Sequence, residues 1–301
     1  MSVVPEQDAP RSPAAADPAF RDAVTFAFGD PVAKLYGHAR IGLGGGEASG
    51  VALLFSGTDV VAAATEAGVR VEDPSSWEGV SVGGLSTTVE EPLAAWTLSF
   101  SRGDDGFDLR FEAVSAPAVL PADSELARTG GMEGYEQVCS VSGSVRAGGR
   151  ARDVRCLGQR GHIWGSPDWK RLELARTLSA WLGADRAVMI SAARPAKARG
   201  HGDEALAGWV VDAGEPVAIA DPRISTTYDG ELRQQRAGLE LWMDEESDYA
   251  RRAAGQVLCG TTLDLGDLRL DTSFFRWRME GREGVGRYDV MRRPGSSSKK
   301  W

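Results

Sequence analysis

Gly158-Gln159-Arg160-Gly161-His162-Ile163-Trp164-Gly165-Ser166-Pro167-Asp168-Trp169 sets an Arg, a His, an Asp and two Trp between glycines. Tryptophan is rare and glycine costs backbone entropy, so each has to answer a need, and together the needs are those of a ligand pocket. Trp164 and Trp169 offer flat apolar walls. His162 offers a group that donates, accepts or does both near neutral pH, since its ordinary pKa is about 6.5. The competing reading is a core in which the tryptophans pack and His162 is a satisfied buried histidine.

Outward from this stretch, apolar and polar residues alternate with period two in short runs bounded by Gly, Asp, Pro and Ser, the pattern of antiparallel strands. Before it lie His38–Leu43, Val51–Phe55, Trp96–Ser101, Phe107–Val114, Gln137–Val145 and Ala151–Leu157. After it lie Ala187–Ala192, Leu206–Val211, Ile224–Tyr228, Leu239–Met243, Val257–Leu265, Leu268–Phe275 and Val285–Met291. Hairpins are expected at Val145–Ala151, around Gly148 and Gly149, and at Leu263–Arg269, around Gly266, where glycine relieves a positive φ. The first of these places Cys139 and Cys156 on one face of neighbouring strands. Helix is scarce: Trp169–Leu182 has apolar residues at spacings of three and four with Gly183 as a stop, and Glu245–Ala254 is a weaker window. The expected fold class is therefore all-β and antiparallel, in two β-rich halves, residues 23–157 and 158–292. Residues 1–22, with Pro5, Pro10 and Pro13, read as a disordered arm, and residues 293–301 as a flexible tail.

The 301 residues carry a formal net charge of −9, which disfavours a nucleic-acid partner because phosphate binding needs basic surface. No run of about 18 apolar residues predicts a membrane span, no signal-peptide pattern opens the chain, and a cytoplasmic home is expected. Three cysteines, an odd number without zinc-type spacing, read as small buried hydrophobes. No metal or other cofactor is expected. Gly79-Val80-Ser81-Val82-Gly83 matches the serine-hydrolase string but lacks the helix that must follow it, and Gly42–Glu47 lacks the spacing of a phosphate loop and reads as a hairpin. His201 sits in a polar loop, where a solvated side chain is expected. His38 lies at a strand start and points either way.

Gly158, Arg160, His162, Trp164 and Gly165, with Gly134-Tyr135-Glu136-Gln137, Val141–Val145 and Gly284–Tyr288, carry a family likeness. The chain resembles the double-lipocalin superfamily of carotenoid 1,2-hydratase, AttH-like proteins and lipocalin-type Diels-Alder cyclases, which carry Gly-Tyr-x-Asp-His-Asn-Trp-Gly or Gly-x-Arg-Asp-His-Ser-Trp-Gly at this point. That resemblance implies two lipocalin-like barrels or sandwiches packed together, the motif opening the second. Two positions depart: Gly161 stands where the family has Asp, and Ile163 where it has Asn or Ser. In hydratase-like members that Asp is the natural acid for an unactivated double bond. The resemblance implies a cofactor-free enzyme of secondary metabolism acting on a polyene, terpenoid or polyketide by cyclisation, isomerisation or addition to a double bond. In that reading His162 and Asp168 are catalytic, and Arg160, Trp164, Trp169 and Glu136 bind substrate. A non-catalytic carrier of an apolar small molecule is the alternative.

Overall fold

Short alternating runs closed by glycine turns can pair only with their sequence neighbours, and the chain does so twice. The computed structural model describes residues 3–13, 17–73, 75–244, 246 and 248–294. Its first meander contains β1 (Arg21–Asp30), β2 (Leu35–Gly44), β3 (Glu47–Ser56), β4 (Asp59–Arg70), β5 (Ser81–Val82) and β6 (Leu85–Glu91). It continues through β7 (Ala95–Arg102), β8 (Asp105–Ala113), β9 (Ala118–Leu120), β10 (Met132–Ala147) and β11 (Arg150–Gly165), with α1 (Glu125–Gly130) before β10. The second meander contains β12 (Leu172–Gly183), β13 (Arg186–Pro195), β14 (Ala205–Asp212), β15 (Glu215–Ala218) and β16 (Asp221–Tyr228). It ends with β17 (Gln234–Trp242), β18 (Arg251–Asp264), β19 (Arg269–Met279) and β20 (Arg282–Arg292).

In each meander the first strand pairs with the last, β1 with β11 and β12 with β20, so both sheets curl around a core of their own. The ends of the first sheet meet where the Gly83 N–H donates to Glu66 Oε2 at 2.5 Å. Phe26, Phe28, Trp77, Trp96, Phe107 and Phe111 fill the first barrel, and Phe275, Trp277 and Tyr288 the second. A third core joins them, with Tyr36 stacked on Phe274 at 5.4 Å and Phe55, Trp181 and Val285 beside it. The double-barrel all-β architecture is thus as expected, and among the described residues no helix is long and apolar enough to cross a membrane.

The turns follow their chemistry. Gly148 and Gly149 adopt φ of 61° and 73° in the β10–β11 turn, and Gly266 adopts 79° between β18 and β19. Gly45 and Gly46 close the β2–β3 hairpin, and Ser81 lies on a two-residue strand, so neither Gly-rich string is a phosphate loop or a nucleophile turn. The three cysteines are free, Cys139 and Cys259 buried and Cys156 half-buried.

The helix expected at Trp169–Leu182 is β12 instead. Leu178, Ala180 and Leu182 face the second barrel while Ser179 and Trp181 are buried on the opposite side, and a strand buried on both faces is indistinguishable by periodicity from a buried helix. Of the Glu245–Ala254 window, Glu245 and Ser247 lie outside the described residues, and Arg251–Ala254 begin β18. The tail from Gly295 onward and the His201 side chain also lie outside them. The boundary expected at Leu157/Gly158 falls inside β11, and the chain changes sheet only after Gly165.

The N-terminal arm is not disordered where it is described. Residues Pro5–Asp8 form a 3-10 turn that delivers Asp8 into the mouth of the first barrel, where it is 2% exposed. One carboxyl oxygen accepts from Arg160 Nη1 at 2.6 Å and from the Tyr135 hydroxyl; the other accepts from Leu93 N–H at 2.6 Å and Trp96 Nε1 at 3.0 Å. Burial opposes ionisation of Asp8, but the Arg160 charge and these donors outweigh it and hold the carboxyl below the ordinary range. Truncation in Asp8→Ala leaves Arg160 buried and uncompensated, at an expected cost of about 3–5 kcal/mol, read by denaturant unfolding. Adding Arg160→Met should recover most of that loss; additive losses in the double variant would show that the pair does not couple.

Candidate functional site

Side chains of a strand alternate between its faces, and β11 therefore serves two chambers. Arg160, His162 and Trp164 point into the first barrel; Gln159, Gly161 and Ile163 point toward the second. His162 is fully buried, with Trp77, Tyr135 and Trp164 edge-on around its ring. Its Nε2 lies 2.7 Å from Asp22 Oδ1, and a carboxylate can only accept, so Nε2 carries the proton. Nδ1 has no partner among the described residues. Asp22 also accepts from Arg11 N–H at 2.6 Å, and the Arg11 guanidinium lies over Trp164 at 4.9 Å. Arg160 is committed to Asp8 and to Gln137 Oε1, the latter at 2.6 Å. Asp168, expected to partner His162, is exposed and accepts from Lys170 N–H at 3.0 Å. Four of the six expected site residues thus belong to the packing of the first barrel or to its surface.

A cavity of about 780 Å³ lies between the two barrels, and Glu136 and Trp169 line it. Its walls are two facing rows of side chains. On the first sheet Arg40, Thr25, Gly161 and Glu136 are direct partners across β2, β1, β11 and β10. On the second sheet Asp289, Thr177 and Ser191 are partners across β20, β12 and β13. Apolar cover comes from Val51, Ile163, Trp169, Trp209, Leu270 and Met291. Chemistry is concentrated where His38, Arg287, Asp289 and Glu136 meet.

Arg287 Nη1 lies 3.0 Å from His38 Nε2, and since guanidinium only donates, Nε2 accepts and Nδ1 carries the proton. Nδ1 lies 3.5 Å from Thr272 Oγ1, which donates to Asp289 Oδ1 at 2.6 Å. The Arg287 side chain also lies 3.3 Å from Asp289 Oδ2 and 4.0 Å from Glu136 Oε1. Burial drives His38 down to about 4, against the pull of Asp289 and with the help of Arg287 and Arg40, so the ring is neutral at pH 7. Burial likewise pushes Glu136 up to about 7, although Arg287 pulls the other way. Glu136 is a carboxylic acid poised near neutrality beside an apolar chamber.

Gly161 explains how it comes to sit there. A Cβ at Gly161 would stand 2.8 Å from Thr25 Oγ1, too close without a shift, and in ordinary contact with Glu136 Cγ at 3.4 Å, so a bare backbone lets the Thr25 and Glu136 side chains meet over β11. The residues missed from sequence, Thr25, His38, Arg40, Arg287 and Asp289, share a signal that was present. Tyr36, His38 and Arg40 recur at period two opposite Ala39 and Ile41, which marks a polar row on a face that a second layer covers. A shallower depression of about 840 Å³ over β16–β19 is ringed by Arg223, Arg252 and Arg278, whose charges are taken up by Asp221, Glu240 and Glu283.

Two closed meanders packed around a shared chamber make a lipocalin-like double-barrel fold, and solved structures share it. An AttH-like protein of Nitrosomonas europaea superposes with a TM-score of 0.68 at 12% identity, covering 94% of this chain and 98% of that one. CghA, solved with Sch210972, gives 0.65 at 10% identity over 93% and 90%. Kievitone hydratase from Nectria haematococca gives 0.62 at 10% identity over 90% and 88%. No curated protein matches the chain. The chain belongs to the family DUF7064, a domain of unknown function, whose model matches residues 4–294.

The raised Glu136 has a thermodynamic signature. Its folded-state value of about 7 exceeds the ordinary value of 4.5, so the folded protein holds more protons between those limits and its stability falls as pH rises through 7. His38, displaced from 6.5 to about 4, acts in the opposite sense and adds stability as pH rises between those values. Subtracting the unfolding free energy of Glu136→Gln from that of the wild type across pH 4–9 isolates the first contribution. The difference should decline by at most about 3 kcal/mol with rising pH; a flat difference would show that Glu136 is ionised as in water.

Proposed function

We propose that this protein is a cofactor-free enzyme that takes a hydrophobic unsaturated molecule between its barrels and protonates a double bond with Glu136. The observation that carries this reading is the Glu136 carboxyl lining a chamber with apolar walls, where burial raises it toward neutrality, adjacent in register to the position where hydratase-like members carry Asp. General acids work best with a pKa near the operating pH, and burial supplies that.

The O–H bond of Glu136 breaks as a C–H bond forms on the alkene, leaving a cation on the neighbouring carbon and a carboxylate on the protein. Trp169 and Trp209 present aromatic rings in the same chamber, and π faces stabilise such a cation. An internal double bond captures it in a cyclisation, or water captures it in a hydration, and the proton then lost returns to Glu136. Arg287, 4.0 Å away, offsets the carboxylate charge while it exists. His38 is neutral and fixed by Arg287, and so orients the guanidinium rather than delivering a proton. The resemblance to hydratase-containing folds supports the reaction class, and polyene, terpenoid or polyketide substrates suit the size of the chamber.

The test is incubation with linear polyenes and isoprenoid alkenes in D2O, with products followed by mass spectrometry. Wild type should incorporate one deuterium at carbon, with or without addition of water, and turnover should fall tenfold per pH unit above about 7 as Glu136 ionises. Glu136→Gln should lose at least about 100-fold of the rate while binding changes little. Tight binding without any turnover by wild type would replace the enzyme with a carrier, and a Glu136→Gln variant at full rate would remove Glu136 as the acid.

A further inference from the structure

The polar row that ends in Glu136 begins in Arg40, and Arg40 has no hydrogen-bond or ion-pair partner within the chain among the described residues. Its guanidinium faces the chamber, half-buried, and lies over Gly42 on the same face of β2. The point where a Gly42 Cβ would stand is 2.7 Å from Arg40 Nη1 and 3.0 Å from Ser49 Oγ, so a bare backbone lets the guanidinium fold over Gly42 and brings it beside the Ser49 hydroxyl, both residues lining the chamber. Two residues further along β2 the pattern repeats: a Cβ at Gly44 would stand 3.1 Å from Arg21 Nη1. Arg21 donates from Nη1 to the Pro18 and Phe20 carbonyls, both at 2.7 Å, which neutralises none of its charge. Asp17 answers Arg21 from the surface, and Asp22, which attracts Arg40, is hydrogen-bonded to His162 and Arg11. Burial opposes the charge on Arg40 and the like charge of Arg21 adds to that, against the pull of Asp22.

We infer that Arg40 and Ser49, with Arg21 behind them, form a subsite for the carboxylate of a substrate whose hydrocarbon chain runs along the Thr25–Gly161 row toward Glu136. A guanidinium and a hydroxyl side by side on the chamber wall match a carboxylate's two acceptor oxygens. Arg40 and Glu136 are separated by three strand spacings, about 14 Å at about 4.8 Å each, so the subsite sets which part of a long chain meets the acid. The substrate class is thereby narrowed to unsaturated carboxylic acids with the reactive double bond remote from the carboxylate. This inference rests on the reading of the chamber as the substrate site, and its test measures binding alone.

Titration with all-trans-retinoic acid and with all-trans-retinol, followed by calorimetry, compares a polyene carboxylate with its neutral counterpart. Wild type should bind the acid at least tenfold more tightly. Arg40→Met should cost the acid at least tenfold while moving the alcohol less than twofold. Gly42→Ala, which keeps both arginines but puts a methyl group where the Arg40 guanidinium lies, should displace that group and weaken the acid to a similar degree. Equal affinity for the two ligands in wild type, a preference that survives both substitutions, or no binding of either ligand overturns the subsite. Glu136→Gln should keep the preference intact. Loss of turnover in that variant alongside equal binding of acid and alcohol by wild type would leave the catalytic reading standing and remove the subsite; a preference for the acid in a wild type that turns nothing over would do the reverse.

Discussion

The pleat of β11 is the constraint on which the rest of the molecule depends. Six consecutive residues, Gln159–Trp164, face alternately into the first barrel and into the seam, and each set is fitted to a different task. The inward set needs partners because an Arg and a His there are cut off from water, and the N-terminal arm supplies them with Asp8, while Asp22 comes from the start of β1. The outward set must be slim, because Glu136 and Thr25 lean over Gly161 from both sides. A slip of one residue in the β1–β11 register would exchange the two sets and bury Arg160 in the seam. The arm, the brace and the chamber therefore stand or fall together.

Charge counting within the chamber reaches the same conclusion about Glu136 as its surroundings do. Arg287 and Asp289 balance each other across 3.3 Å, which leaves His38 and Glu136 to be accommodated. With His38 neutral and Glu136 protonated the cluster has no net charge; any other assignment near pH 7 places an unmatched ion in a poorly solvated space. The acid is thus kept in its reactive form by its neighbours' needs as much as by its own burial. When it gives up its proton, the nearby guanidinium faces two carboxylates, a state tolerable only while a substrate cation is present.

Much of the architecture was legible in the sequence because antiparallel strands with one wet face write period two into the chain, and Gly148, Gly149 and Gly266 mark their turns. Where both faces are buried the signal vanishes, and Leu172–Gly183 accordingly read as a helix. The motif was found but half of it was assigned to the wrong chamber. Periodicity says that His162 and Gly161 face opposite ways, yet only the partner strands decide which way is the cavity, and those contacts are remote in sequence. Tyr135 and His162 are paired across a hairpin, whereas Asp8 and Arg160 are joined across most of the first barrel. A proline-rich arm reads as disorder because its order comes from one buried carboxylate, a long-range contact with no local pattern. Glu136 was among the candidates, but the His38 and Arg287 that surround it come from β2 and β20, remote from it in sequence.

A single lipocalin-type barrel holds its ligand in its own hollow. Here both hollows are filled, the first by Trp77, Trp96 and five phenylalanines with Asp8 at the mouth, the second by Phe275, Trp277 and Tyr288. The cavity lies in the seam instead, where each barrel contributes one wall. A seam lined by strand rows has a property a hollow lacks: residues adjacent across strands point into the same space even when they are distant in sequence. Thr25 and Glu136, which flank Gly161 from β1 and β10, address the same part of the chamber in this way, although they are far apart in the chain.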